Sequence, residues 1–368
     1  MTTTPMTPAS GRHDSITDID GIAVGHWQQI DTDATVATDD APGKGWASGT
    51  TVLTLPTGAV VAVDCRGGAP GTRETDLLDP ANTVQTAHSV VLSGGSAFGL
   101  AAADGVMNTL EQRGVGLPMD AAGHVVPIVP AAVIFDLPVG AWAHRPDAES
   151  GRLALDELTT GPVARGSVGA GAGARAGALK GGVGSASVVL DAGPAAGVTV
   201  GALMVANPVG SVLDPETGLP WETTAADLAY FGLQPPDDRD RERFAELSAK
   251  STVLNTIVGV VASDAPLDKA ATRRVAIAAH DGLARAVRPA HTPMDGDTIF
   301  AVSTGRATPP EPGIPVPPGL RADAAVVAAV GHAAAVVTRR AVINAVVAAT
   351  SVAGIPSLTD TLPSAVRA

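Results

Sequence analysis

Short apolar runs alternate with polar turns through the first third of the chain. Thr51 to Leu55, Ala59 to Val63 and Ser89 to Leu92 each predict a strand. The third run leads into Ser93-Gly94-Gly95-Ser96 and then into an Ala-rich stretch, Ala97 to Gln112, with helical spacing, closed by Gly114. Such a strand–glycine–helix step aims backbone N–H groups at whatever lies in front of it. Residues 161 to 187 form a Gly/Ala-rich segment that opens into strand-like runs at Ala186 to Asp191 and Gly197 to Ala206. Between 214 and 250 the composition breaks: prolines, then the charged run Asp237 to Arg243, predict a solvated linker with a short helix. Directly after it, Thr256 to Ala262 is β-branched and uncharged, the pattern of a strand buried on both faces. A helix pattern from Leu267 to Val287, the strand-like Thr298 to Val302, a Pro-rich loop (309–318) and a long C-terminal helix pattern complete the chain. Strands and helices alternate, so the class is α/β or α+β, without a 20–50-residue repeat.

Composition narrows the function classes. The 368 residues are 45% hydrophobic but only 3% aromatic, so the core must be built from Ala, Val, Leu and Ile. A net charge of -13 argues against a nucleic-acid surface or an anionic membrane as partner. The single Cys65 excludes an internal disulfide framework and a cysteine-based zinc cluster. The first dozen residues are polar, and residues 1 to 20 lack the apolar core of a secretory signal. The most apolar long segment, Ala324 to Ala349, carries Gly331, His332, Arg339 and Arg340, which disfavours a spanning helix. A cytoplasmic protein without metal or cofactor is the expectation.

The junction at Asn255-Thr256 is the most informative feature, because a polar linker runs there straight into a buried strand. A hydroxyl at such a boundary can attack the preceding carbonyl, and hydrolysis of the resulting ester frees an α-amine. That amine, with an ordinary pKa of roughly 7.7 to 8.0, can serve as base for its own hydroxyl. Branching at Cβ also limits the χ1 freedom of threonine. On pattern alone, a Thr opening a core strand stands ahead of this nucleophile reading. Asp295-Gly296-Asp297 reads first as a hairpin turn, and second as a carboxylate pair that holds a nucleophile's amine and hydroxyl. One Asp-x-Asp supplies too few ligands for a metal site. Lys180, the lysine of the glycine-rich stretch, is either a solvated loop charge or a cation that stabilises charge developing at a hydroxyl. Asn207 ends a strand-like run as a turn residue or as an oxyanion donor.

Two further patterns fail on context. Gly169-x-Gly171-x-x-Ala174 loosely fits a dinucleotide fingerprint, yet no apolar strand precedes it and Gly181-Gly182 cuts off the following helix. Gly95-Ser96-Ala97-Phe98-Gly99 resembles a nucleophile elbow with its serine one place too early. His280 and His291 flank a helix end and read as surface or capping residues.

With these residues laid out, the chain resembles the DmpA family of self-processing aminopeptidases and amidases, the P1 peptidases, nearest its nylon-oligomer hydrolase branch. The resemblance covers nearly the whole length. It is carried in order by Arg66 to Asp76, Leu92 to Leu100, Val129 to Asp136, Lys180 to Ser187, Asn255-Thr256, Val260 to Leu267, His280 to Ala286 and Asp295 to Thr298. It implies an αββα four-layer sandwich of N-terminal-nucleophile type, cleaved between Asn255 and Thr256. The larger subunit would be 1–255, with 1–15 and 232–250 flexible. The smaller, 256–368, would carry the nucleophile, the two forming one folded domain. The resemblance also implies site roles. Thr256 becomes the nucleophile, Lys180 and Asn207 activate it and hold the oxyanion, and Asp295 and Asp297 orient the new amine and hydroxyl. Ser93, Gly94, Gly95 and Phe135 border substrate and oxyanion. Family members assemble as tetramers, here a homotetramer of cleaved heterodimers. Many relatives carry Ser at the nucleophile position, and Thr256 matches the nylon-oligomer branch. A tyrosine near the relatives' active site has no clear equivalent, since Tyr230 lies in the linker region. If Phe135 takes that place, Asn207 and backbone N–H groups must hold the oxyanion.

The implied activity is hydrolysis of linear amides, with endo-cleavage of 6-aminohexanoate oligomers first and an aminopeptidase on D-residue or β-peptide amides second. Acyl transfer of the ornithine acetyltransferase kind is a further alternative, marked by a need for an amine acceptor. A scaffold that keeps the fold without processing is the non-enzymatic one.

Overall fold

The computed structural model describes residues 10–247, 255–310 and 316–367. Its first strands are β1 (Ala23–Ile30), β2 (Ala47–Cys65), β3 (Thr72–Arg73) and β4 (Thr86–Ser93). Then come β5 (Leu117–Pro118), β6 (Val125–Val126), β7 (Ala131–Val133), β8 (Arg175–Ala176) and β9 (Leu179–Lys180). The last are β10 (Gly182–Val189), β11 (Thr199–Asn207), β12 (Thr256–Ser263) and β13 (Thr298–Ser303). The helices are α1 (Ala102–Gln112), α2 (Ala148–Asp156), α3 (Ala225–Phe231), α4 (Asp238–Ala245), α5 (Lys269–Ala286), α6 (Ala324–Val347) and α7 (Leu358–Thr361).

One nine-stranded sheet runs β10-β11-β12-β13-β2-β4-β7-β3, with β1 paired to β2. Side-chain alternation along the strands shows that it is folded into two layers. Val258, Val260 and Ala262 of β12 share a core with Leu203, Phe300 and Val302 and with Leu53, Val90 and Leu92 from β2 and β4. The opposite faces of β12 and its neighbours, through Ile257, Val261, Met204 and Ile299, pack against α5 and α6. Across the molecule, Val52, Val91 and Ala131 pack against Val106 and Leu110 of α1 and Leu155 of α2. The order is therefore helices, sheet, sheet, helices: the expected αββα sandwich.

The two strands expected at Thr51 to Leu55 and Ala59 to Val63 are one. Strand β2 carries straight through Pro56-Thr57-Gly58, where the register against β4 shifts between Thr54 and Ala59. Its first half pairs with β1 and its second half with β13, so this irregularity lets a single strand join both layers. Strand β10 begins at Gly182, earlier than the expected Ala186, because its glycines are packing positions. A Cβ on Gly184 would stand 1.9 Å from the carbonyl oxygen of Ala341, so α6 lies directly on the strand backbone. Helix α6 is long and apolar enough to cross a membrane, but about two thirds of its most apolar window is buried inside the molecule. The segment expected as a linker contains α4, docked by Phe244 and by Asp240, which accepts from the amide of Ser364 at 2.8 Å. Ser251 and Thr252 lie outside the described residues.

The crossing of α5 and α6 gives a stability prediction. A Cβ on Gly282 would stand 2.0 Å from the carbonyl oxygen of Ala335. Ala gains about 1 kcal/mol over Gly in helix propensity, but overpacking against backbone costs about 1–3 kcal/mol. Gly282→Ala is expected to lower the unfolding free energy, by up to about 2 kcal/mol net, in urea titration; increased stability contradicts this packing.

Candidate active site

Strand β12 starts at Thr256, whose strand partner across the ladder is Asn207, the last residue of β11. The preceding residue, Asn255, forms an isolated parallel bridge with Asp295. The amide of Asn255 donates to the Met294 carbonyl at 3.2 Å, and the amide of Gly296 donates to the Asn255 carbonyl at 3.0 Å. The Thr256 hydroxyl donates to that same carbonyl oxygen. The peptide bond between Asn255 and Thr256 is thus buried, with its carbonyl polarised from two sides. Gly296 has room for no side chain: a Cβ there would lie 2.8 Å from Thr256 Oγ1 and 2.6 Å from the Ala69 carbonyl oxygen.

The two carboxylates of the Asp-Gly-Asp turn are both buried. Asp297 Oδ1 accepts from the amide of Ile257 at 2.8 Å, and its Oδ2 accepts from His291 through the amide at 3.1 Å and Nδ1 at 2.8 Å. Asp295 Oδ1 accepts from the Val209 amide at 3.2 Å, and its Oδ2 from the Thr292 amide at 3.1 Å and hydroxyl at 2.6 Å. Asp297 therefore grips the residue after Thr256, while Asp295 ties the loop that carries Asn255's bridge partner to the end of β11. A turn whose carboxylates point inward and are filled with N–H and O–H donors fixes a backbone as well as reversing it.

Lys180 is fully buried, which overturns its reading as a solvated loop charge. Its ammonium donates to the carbonyls of Gly171 at 2.7 Å and Gly181 at 3.0 Å. Burial pushes its pKa down from 10.5 to about 7, opposed by the charge of Asp136. Asp136 is buried too, and desolvation raises its pKa although the Gly95 amide and the Ser48 hydroxyl, at 2.6 and 2.7 Å, favour its ionised form. Gly94 must be glycine, since a Cβ there would lie 2.3 Å from Asp136 Oδ2. The Ser93 hydroxyl is turned into the sheet, 2.9 Å from that of Thr50.

Asn207 joins the two groups. Its Oδ1 accepts from the Arg175 amide at 2.9 Å, on the ribbon that pairs Arg175 with Lys180, and its Nδ2 donates to the Phe135 carbonyl at 3.2 Å. Phe135 contributes its carbonyl here; its ring meets Trp142 edge-on at 6.3 Å. Trp142 and Phe98 are exposed, with Arg145 over the Phe98 ring at 3.6 Å. Tyr230 donates to Asp14 Oδ2 at 2.6 Å and receives from Asn344, so its hydroxyl is engaged elsewhere.

Thr256, Asn255, Asn207, Asp295 and Asp297 meet at the start of β12, and Lys180 and the Ser93–Gly95 turn group around Asp136, linked to that cluster through the bonds of Asn207 to Arg175 and Phe135. Sequence reading gave Asp136 and Gly296 no role of their own. His280, expected with His291 as a surface or capping residue, is corrected. His280 is fully buried on α5, its Nε2 3.0 Å from the Asp64 carbonyl, and its ring lies edge-on to His291 at 4.9 Å. A separate cleft of about 700 Å³ between α5 and α6, lined by Arg274, Asp281 and His332 among others, includes none of these site residues.

Fold, site and relatives together define a hydrolase of amide bonds. The chain belongs to Peptidase family S58, whose model matches residues 14–359. An uncharacterized aminopeptidase of Mycobacterium tuberculosis is 55% identical over 357 residues, covering 95% of this chain and 98% of that protein. The 6-aminohexanoate-oligomer endohydrolase of Kocuria sp. is 31% identical over 262 residues, 70% of this chain and 69% of its own. Among solved structures, the L-aminopeptidase D-Ala-esterase/amidase from Ochrobactrum anthropi, described as a variant of the Ntn hydrolase fold, matches with a TM-score of 0.69 at 23% identity, covering 94% of this chain and 89% of that one.

The buried ammonium has a measurable consequence. Between about 7 in the native state and 10.5 in the unfolded chain, Lys180 binds a proton only when unfolded. Stability contributed by this group therefore rises with pH across that window, by about 1.4 kcal/mol per unit at most, and is level below it. Lys180→Met is expected to remove that slope in denaturant titrations between these pH values. A slope identical to the parent's would mean that Lys180 titrates as an exposed amine.

Proposed function

We propose that the chain breaks its own peptide bond between Asn255 and Thr256, and that Thr256 then acts as an N-terminal nucleophile on linear amides. The observation that supports this is the doubly polarised Asn255 carbonyl with the Thr256 hydroxyl against it. In the first act, Thr256 Oγ adds to that carbonyl carbon, the C–N bond breaks, and the nitrogen, which keeps its own hydrogen, takes up the proton lost by the hydroxyl to become the α-amine. Water then hydrolyses the Asn255–Thr256 ester, leaving a carboxylate on Asn255 and a free hydroxyl on Thr256. In the second act the same hydroxyl attacks a substrate amide, the amine product leaves protonated, and water releases the acyl group.

Lys180, with a pKa of about 7, accepts or returns the hydroxyl proton near neutral pH. Asn207 and the Gly296 amide hold the oxyanion. Asp295 and Asp297 keep the new terminus aligned. Because β12 pairs with β11 and β13 pairs with β2, the subunits 1–255 and 256–368 stay one folded unit after scission. The assembly proposed for the cytoplasm is a tetramer of such cleaved protomers.

For the substrate, the higher identity and fuller coverage of the mycobacterial relative favour an aminopeptidase-type linear amide. Endo-cleavage of 6-aminohexanoate oligomers is the second reading, supported by the Kocuria relative. The exposed rings of Phe98 and Trp142 suit the apolar spacers of either.

Thr256→Ala is expected to remain one chain of 36.5 kDa without amidase activity, while Thr256→Ser matures and turns over. Scission retained in Thr256→Ala would move the cut to Ser251 or Thr252. Asp295→Asn is expected to mature about tenfold more slowly, because the amide presents a donor where donors already converge. The maturation rate should fall as pH drops through about 7, where Lys180 becomes protonated; a rate independent of pH from 6 to 8 removes Lys180 as the base. Assays against peptides, peptide amides and oligomers separate the two substrate readings, and a requirement for an added amine acceptor would favour acyl transfer.

A further inference from the structure

Two imidazoles in edge-on contact, the buried His280 and the partly buried His291, remain unused by the reaction described above, and His291 touches the carboxylate of Asp297. His291 donates twice to Asp297 Oδ2, through its amide at 3.1 Å and Nδ1 at 2.8 Å. The other oxygen of that carboxylate takes the Ile257 amide at 2.8 Å. A single carboxylate thus links the His291 loop to the backbone one residue beyond Thr256.

The conformation of His291 shows that this grip is maintained against a cost. Its φ is +55°, in the left-handed region that disfavours non-glycine residues. Residues held there persist when the surrounding contacts over-determine them, and they cluster where a site needs a fixed geometry. His280 supplies the second restraint. Its ring packs edge-on against His291 at 4.9 Å, and its Nε2 is fixed by the Asp64 carbonyl at 3.0 Å. Asp64 is in turn held by Arg66 at 2.9 Å. The carboxylate accepts at Nδ1, so that nitrogen of His291 carries the proton, and its Nε2 is left buried without a partner. Burial pushes the His280 pKa down to about 4, so its ring is neutral where it packs against His291.

We propose that His291 is a positioning residue for the nucleophile: acting through Asp297, it fixes the Ile257 amide and so the direction in which Thr256 presents its hydroxyl and, after scission, its amine. The inference rests on Thr256 being the nucleophile. A near-attack geometry tolerates little displacement, so losing the grip should slow both self-scission and turnover while leaving substrate contacts in place.

The test is a set of variants at one position. Asn can place an amide N–H where Nδ1 stands, and it tolerates φ > 0. Gly relieves the backbone strain without supplying a donor, and Gln is closer to His in size but reaches the Nε2 position instead. His291→Asn is expected to mature and turn over within about threefold of the parent. His291→Gly, His291→Gln and His291→Ala should lose on the order of ten- to a hundredfold in maturation rate and kcat, with KM little changed. If His291→Gly equals the parent, or Gln rescues better than Asn, the residue serves the turn or the packing alone and the inference is overturned. Should the Gly or Ala variant fail to fold, as judged by thermal unfolding, the comparison of Asn with Gln still decides. The underlying reading fails separately, if the parent itself yields no chain beginning at Thr256.

Discussion

The contact between the Thr256 hydroxyl and the carbonyl of the residue before it organises the rest of the molecule. That contact needs a peptide bond held still at the mouth of a buried strand, and three parts of the fold supply it. Strand β12 lies between β11 and β13 in the inner part of the sheet, so Thr256 cannot drift along its ladder. The Gly296 amide pins the Asn255 carbonyl, and Asp297 pins the amide of Ile257, so the chain is clamped on both sides of Thr256. The absence of a side chain at Gly296 is what permits the close approach. The proposed self-scission needs little motion in such a clamp, because the hydroxyl and the carbonyl are already neighbours.

The second constraint is charge without water. Lys180 and Asp136 are both buried between the layers, and desolvation pushes their pKa values toward neutrality from opposite sides. The cost of removing both ions from water offsets their through-space attraction, so they add little to stability. In the reaction proposed above their value is in proton handling. An ordinary lysine is charged at neutral pH, whereas one with a pKa of about 7 can exchange its proton there. The glycine-rich segment makes this possible, because it brings the Gly171 and Gly181 carbonyls to the ammonium and leaves room beside Asp136 at Gly173.

Much of this arrangement was legible in the sequence, though unevenly. The uncharged run after Thr256 read correctly as a strand buried on both faces, and the helix patterns of α1, α5 and α6 fell where their apolar spacing put them. The pair of strands read from Thr51 to Val63 failed because Pro-Thr-Gly signals a reversal locally, whereas here the long strand bends between two layers. The start of β10 was missed because glycines carry no β signal, and only the helix lying on them explains their presence. At the site, local pattern left Thr256 as a strand opener and Asp295-Gly296-Asp297 as a turn; family motifs, not spacing, singled them out. His280 could have been found, since it falls with Ala276 and Leu283 on the buried stripe of α5. Asp136 could not, because its partners Ser48 and Gly95 come from distant parts of the chain, and His291 could not, because its contact with Asp297 depends on a positive-φ loop conformation that a non-glycine residue does not signal.

Intact-mass and N-terminal analysis of catalytically active material addresses the clamped bond most directly. Active protein should contain two chains, one ending at Asn255 and one beginning at Thr256. Full amidase activity in an unbroken chain of 36.5 kDa would contradict the account.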